Sequence, residues 1–242
     1  MKIGVLALQG AFAEHLRVLR QIGVEGVEVR LPGDLDGVAG LILPGGESTT
    51  MRKLIDRWGL REPIMRLAER GAPFLGTCAG MILLSRQIDD GDEPVLPLLG
   101  VTVKRNAFGR QLDSFETELP VPILGDMPVH AVFIRAPIVS DVSPDVDVLA
   151  RLDDGRVVAV RERNVIATAF HPELAGETRF HRLLATMAAD FDDPGEGSGR
   201  RHHPLRRELA RSRDAGHDGR PGGAPGSLRG EPPADPRGEA AA

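Results

Sequence analysis

The 242-residue sequence contains one cysteine, Cys78, which excludes a disulfide framework within the chain and any cysteine-rich zinc module. It has no tyrosine and one tryptophan, and aromatics fill only 4% of positions, so a core must be built from leucine, valine, isoleucine and alanine. No stretch approaches the roughly 20 consecutive apolar residues that cross a bilayer. The apolar run within Met1–Gly10 is too short and too soon ended for a secretory signal. Positive charge is not in excess either: 30 Lys and Arg stand against 35 Asp and Glu, a net −5. That balance argues against a general polyanion binder, because phosphate contacts need clustered Lys and Arg. The expectation is a soluble, cytoplasmic globular protein with no membrane or nucleic-acid partner.

Composition breaks after Phe191. Residues 192–242 hold ten Gly, seven Pro and three large apolar residues (Leu205, Leu209, Leu228), too few to offset the entropy of ordering the segment. Nine Arg balance nine Asp and Glu there, so residues 1–191 carry the whole −5. The tail reads as disordered, with a short helix over 204–212 as the other reading. Residues 1–191 read as one α/β domain. Strands are expected at Lys2–Leu8, Val27–Leu31, Val38–Leu43 and Pro73–Thr77, and helices at Ala11–Ile22, Thr49–Trp58, Glu62–Arg70 and Ala79–Arg86. Short strand–helix units imply a largely parallel sheet with helices on both faces. From Val101 to Val160 the text turns β-rich (VTVKR, AVFIRA, DVLARL, RVVAVRE), an expected antiparallel extension of the same sheet. Val165–Phe170 then reads as a strand and Phe180–Asp190 as a closing helix.

Ligands gather outside the carboxyl ends of strands in such a sheet, and three polar clusters fall there. In Gly76-Thr77-Cys78-Ala79-Gly80, small residues flank the cysteine, as a sharp strand-to-helix turn presenting a nucleophile requires. The start of a helix also favours thiolate over thiol. A buried structural cysteine is the other reading. In Phe170-His171-Pro172-Glu173, an imidazole follows a strand with a carboxylate two residues on, a base and its orienting group if Cys78 is a nucleophile and an incidental histidine if not. In Leu43-Pro44-Gly45-Gly46-Glu47-Ser48-Thr49-Thr50, paired glycines let backbone N–H groups face an anion, with Ser and Thr as cap candidates for the helix that follows. A plain tight turn is the alternative, and no lysine stands at the spacing of a nucleotide-binding phosphate loop. Arg105 and Arg135 each close an apolar stretch, either solvated or gripping a substrate carboxylate.

Six stretches in order, GVLALQGAFAEH (4–15), LILPGGESTTMRKLI (41–55), GTCAGMILL (76–84), RNAFGRQLDSFE (105–116), FIRAP (133–137) and FHPEL (170–174), resemble the class I, or triad, glutamine amidotransferases. Within that group the resemblance is to the glutaminase subunits of pyridoxal 5′-phosphate synthase. It implies a three-layer αβα, flavodoxin-like, open and mostly parallel sheet with an antiparallel extension. It implies hydrolysis of L-glutamine to L-glutamate and ammonia through a glutamyl thioester. Cys78 would be the nucleophile, His171 the base and later the acid, and Glu173 the residue orienting it. Backbone N–H groups of Gly46 and Ala79 would line the oxyanion hole. Gly46, Glu47, Ser48, Arg105, Ile134 and Arg135 would contact glutamine, while Gln9 and Gly10 would face the partner. That partner would be a (β/α)8-barrel synthase subunit making pyridoxal 5′-phosphate from ribose 5-phosphate and glyceraldehyde 3-phosphate, in a large ring of both subunits. No metal and no cofactor are implied. Activity would be weak without the partner, whose docking would rearrange the backbone at Gly45–Glu47. The tail departs from the pattern, since this family usually ends near its last helix.

Two other readings keep the fold. A cysteine hydrolase or redox-responsive protein would have no use for the His171 and Gly46 clusters together. A non-catalytic interaction subunit would have been free to lose one of the triad residue types, and all three are present.

Overall fold

The computed structural model describes residues 1–105 and 114–192. Expectations for the tail beyond 192, and for most of the 105–116 stretch, lie outside the described residues. The chain alternates as its periodicity predicts: β1 (Lys2–Leu6), α1 (Phe12–Gln21), β2 (Glu25–Val29), β3 (Val38–Leu43), α2 (Ser48–Arg57), α3 (Arg61–Glu69), β4 (Phe74–Thr77) and α4 (Ala79–Leu84). There follow β5 (Ser85–Ile88), β6 (Leu99–Lys104), β7 (Ser114–Leu119), β8 (Val129–Ile134), β9 (Ile138–Val142), β10 (Asp147–Arg151), β11 (Val157–Glu162), β12 (Val165–Thr168) and α5 (Arg179–Asp192).

Ten strands form one sheet in the order β2-β1-β3-β4-β12-β11-β9-β6-β5, with β10 added beside β11. The first five run parallel. Their central members, β3, β4 and β12, are buried along their whole length, which is why they read as unbroken apolar runs. Beyond β12 the sheet becomes antiparallel through β11, β9 and β6, and β5 returns parallel to β6. Helix α1 lies on one face, where it meets α5 through His15 and His181, and α2 and α4 pack together on the other. The architecture is therefore the expected three-layer α/β sandwich with an antiparallel extension.

Two local expectations need correction, and one strand was not anticipated. The helix expected over Ala79–Arg86 ends at Leu84; Ser85 closes it by donating its hydroxyl to the Ile82 carbonyl at 2.7 Å, and the chain continues as β5. AVFIRA does not extend the main sheet but pairs with β7 as a separate two-stranded ribbon. Alternate burial along β7 and β8 explains this, since one ribbon face packs inward and the other meets water. Phe133 stacks on Phe115 with ring centres 4.5 Å apart and leans on Phe170 at 5.5 Å, which anchors the ribbon across the end of β12. Strand β9, IVSDV, has a mixed burial pattern that no periodicity marks.

Candidate active site

Strand register fixes the site. Thr77 pairs with Thr168 across β4 and β12, and Leu43 pairs with Gly76 across β3 and β4, so the three loops that leave these strands emerge together. Cys78 follows β4 directly and is tied to the next strand by its N–H, donated to the Thr168 carbonyl at 2.8 Å. Its φ of 49° and ψ of −103° lie where L-residues are strained. The turn tolerates this because its neighbours lack bulk. A methyl group on Gly80 would run into the Leu43 carbonyl, and one on Gly76 into Leu84 and the Gly80 backbone. The anticipated sharp turn with small flanking residues is what the chain forms.

His171 and Glu173 leave β12 toward the same point. The His171 N–H is donated to the Val132 carbonyl at 2.9 Å, so the β7–β8 ribbon seats it. Its Nδ1 lies 2.7 Å from Glu173 Oε1. Cys78 and His171 each expose 6% of their surface and Glu173 4%. Burial disfavours a charged His171, but hydrogen bonds to Cys78 and Glu173, and the charges of both, outweigh it and raise the imidazole to about 10. The Cys78 thiol also points at the Ile134 carbonyl, 3.8 Å away.

These groups open onto a cavity of about 410 Å³. Gly46, Glu47 and Ser48 line it together with Cys78, Ala79 and His171 and with Arg105, Ile134 and Arg135. Gln9 also reaches the cavity, where its Oε1 accepts the Glu47 N–H at 2.8 Å. Gly10 stands beside it at φ +94°, with no room for a side chain against the Gly45 carbonyl. Gly45 in turn packs on the His171 ring. Every residue anticipated at the site thus converges here, except that Glu173 stands behind His171 and Gly10 behind Gly46.

Two details depart from expectation. Glu47, rather than a serine or threonine, caps α2: its carboxylate accepts the N–H groups of Thr49 at 2.9 Å and Thr50 at 2.7 Å. The Thr50 hydroxyl, and then these N–H groups, bring the Glu47 carboxyl down to about 2 against the opposing effect of partial burial. Arg105 is engaged by Asp90 and Asp92, with its guanidinium 3.4 Å from the Thr49 hydroxyl. Arg135 holds a positive φ of 44°, a second strained residue on the cavity rim. Sequence reasoning missed Thr49 and Ile82 in the lining, and Thr77, His15 and His181 behind Glu173. A signal existed for the histidines. His15 and His181 each sit on the apolar stripe of an amphipathic helix, beside Leu19 and Leu184, where a polar side chain needs a partner.

Fold and cavity together define an α/β protein with a cysteine, a histidine and a glutamate gathered at the carboxyl ends of neighbouring parallel strands. The chain belongs to the SNO glutamine amidotransferase family, which it matches over residues 5–189. It is 57% identical to pyridoxal 5′-phosphate synthase subunit PdxT of Herpetosiphon aurantiacus over 187 residues, 76% of this chain and 98% of that one. Against the PdxT of Moorella thermoacetica it is 54% identical, over 77% of this chain and 99% of the relative. A crystal structure described as a glutamine amidotransferase superposes with a TM-score of 0.73 at 45% identity, covering 77% of this chain and 98% of that one. No helix among the described residues is long and apolar enough to cross a membrane.

Proposed function

We propose that the chain is the glutaminase subunit of a pyridoxal 5′-phosphate synthase, working in the cytoplasm within a ring of synthase subunits. The observation that carries this is the strained Cys78 beside the His171–Glu173 pair, in a cavity rimmed by Arg105 and Arg135. His171 takes the proton of the Cys78 thiol, the sulfur attacks the carboxamide carbon of L-glutamine, and backbone N–H groups of Gly46 and Ala79 stabilise the oxyanion. The C–N bond then breaks, His171 gives a proton to the departing ammonia, and a glutamyl thioester remains. Water, deprotonated by His171, attacks the thioester carbon; glutamate leaves and the thiol is restored. Glu173 keeps the imidazole oriented throughout. The guanidinium groups of Arg105 and Arg135 suit the α-carboxylate of glutamine.

Ammonia passes to the synthase barrel, which docks over Gln9 and Gly10. Docking rearranges Gly45–Glu47, where Gln9 now holds the Glu47 N–H and Glu47 caps α2. Residues 1–191 form the glutaminase domain. The test is glutamate release from L-glutamine by the full chain, with and without the cognate synthase subunit, for the wild type and Cys78→Ala. Hydrolysis switched on by the partner and abolished in the variant is the expected result. Strong hydrolysis without any partner would keep the triad and sink the gating; no glutamate with the partner present would sink the proposal.

A further inference from the structure

Behind Glu173 stands a second pair of imidazoles that the chemistry above does not use. His15 on α1 and His181 on α5 are fully buried, with His15 Nδ1 2.8 Å from His181 Nε2. The other nitrogen of His15, Nε2, lies 3.2 Å from Thr77 Oγ1 and 3.6 Å from Glu173 Oε1. Thr77 Oγ1 is itself 3.5 Å from that carboxylate oxygen. Among the described residues, Glu173 Oε2 and His181 Nδ1 have no hydrogen-bond partner. The carboxylate is therefore held through Oε1, by His171 in front and by Thr77 and His15 behind.

Both rear imidazoles are neutral. Burial above all, then the charges of His181 and His171, keeps His15 well below the usual histidine range. Burial brings His181 to about 4 against the raising effect of Glu177. Each neutral ring carries one N–H, and only two placements are consistent with the 2.8 Å contact. With the His15 proton on Nδ1, His181 must carry its own on Nδ1, a buried donor without an acceptor, and His15 Nε2 turns a lone pair toward the carboxylate. With both protons on Nε2, His181 donates to His15, His15 to Thr77 and Thr77 to Glu173, and one lone pair on His181 is all that goes unmatched among the three donors. The geometry points to this second placement, which makes His15, Thr77 and His181 positioning residues that aim a one-way chain of donors at the carboxylate orienting His171. The inference rests on the proposed role of Glu173. A carboxylate held at its back keeps its contact with Nδ1 and leaves Nε2 of His171 for the sulfur and the substrate. The charged or titratable groups facing the pair are His171 and Glu173 at His15, and Glu177 at His181.

The test uses the full chain with its synthase subunit and three variants, His15→Leu, His15→Gln and Thr77→Val. It reads kcat and KM for glutamine, the pH profile of Cys78 alkylation by iodoacetamide, the melting temperature, and the ring ¹⁵N shifts of His15 and His181. Loss of an outer-shell orienting partner costs on the order of 10- to 100-fold. His15→Leu and Thr77→Val are therefore expected to lower kcat by that factor and leave KM within about twofold, as loss of a transition-state interaction does. They should also move the alkaline limb of the alkylation profile to lower pH, because a carboxylate free to leave Nδ1 no longer supports a charged His171. His15→Gln, whose amide N–H reaches where Nε2–H stood, should recover most of kcat, and both wild-type rings should carry their proton on Nε2. An Nδ1–H form of His15, or variants that match the wild type in kcat and alkylation profile, would overturn the inference. So would a loss of rate that follows melting temperature and is not restored by Gln. Should His15→Leu fail to fold, Thr77→Val, which removes only a hydroxyl, carries the same expectation. A wild type inactive with its synthase would refute the glutaminase proposal, while the ring shifts and the alkylation profile would still decide the chain of donors.

Discussion

Replacing Gly45 by alanine tests whether the imidazole is held by the backbone of the opposite loop. The Cβ built on Gly45 lies 2.8 Å from His171 Nδ1 and 3.2 Å from Nε2, and closer still to Cε1, between them. Non-bonded carbon contacts settle at about 3.5–4.0 Å, so the ring must retreat by more than about 1 Å to clear Cε1. The contact it would strain is the 2.7 Å hydrogen bond to Glu173. A misplacement of about 1 Å costs roughly 100-fold in rate, or about 2.7 kcal/mol of transition-state stabilisation at 1.36 kcal/mol per tenfold. Losing a buried, charge-assisted hydrogen bond costs a further 1.5–3 kcal/mol or so of fold stability, roughly 3–12 °C in melting temperature for a domain this size. Glutamate release in the presence of the synthase subunit reads the first figure and a thermal melt the second. If Gly45→Ala keeps a rate within about twofold of wild type and melts where wild type melts, the ring is not braced by this loop.

Gly80→Ala should act on stability instead, because its Cβ meets the Leu43 carbonyl, which the sheet holds in place; a loss of about 1–3 kcal/mol in urea unfolding is expected. Glu47→Ala removes the cap of α2 and should cost about 0.5–2 kcal/mol. With the Glu47 carboxyl at about 2 rather than its ordinary 4.5, that contribution is present above 4.5 and lost as pH falls toward 2. His15 and His181 are held neutral, with His181 at about 4 against an ordinary 6.5, so their effect has the opposite origin. The unfolded chain takes up protons below 6.5 that the folded chain excludes, so melting temperature should fall from pH 6.5 toward 4, and less steeply in His181→Leu. His171, raised to about 10, contributes stability that is whole below 6.5 and declines as pH rises through 10, which His171→Gln should abolish.

Much of this was legible in the sequence because the informative constraints are local. The glycines around Cys78, and the Pro44-Gly45-Gly46 turn after an apolar run, state their backbone geometry in their own side chains, or in the lack of them. Alternating apolar runs likewise give the strand–helix order through α3. What escaped is pairing. Periodicity says that Val129–Ile134 is a strand but not that its neighbour is β7 rather than the main sheet, a choice made by Phe115, Phe133 and Phe170 meeting in space. The His15–His181 contact joins residues 166 positions apart, and neither helix alone names the other. The cap of α2 went to Glu47 because a longer side chain can reach back to both free N–H groups, where composition favoured serine or threonine.

Cys78 and His171 lie on loops that leave β4 and β12, two strands hydrogen-bonded side by side, so their separation is set by a single inter-strand spacing of about 4.8 Å. The chain between those strands, including β5, β6, β9, β10 and β11, contributes nothing to that distance. Among the described residues, the β7–β8 ribbon returns to touch the cluster through the carbonyls of Val132 and Ile134, and Arg105, at the end of β6, lines the cavity beside it. Insertions, deletions or exchange of the outer strands are thus open to evolutionary drift or engineering at little cost to the chemistry, provided the ribbon's two carbonyls, and Arg105 at the end of β6, come back to the same place.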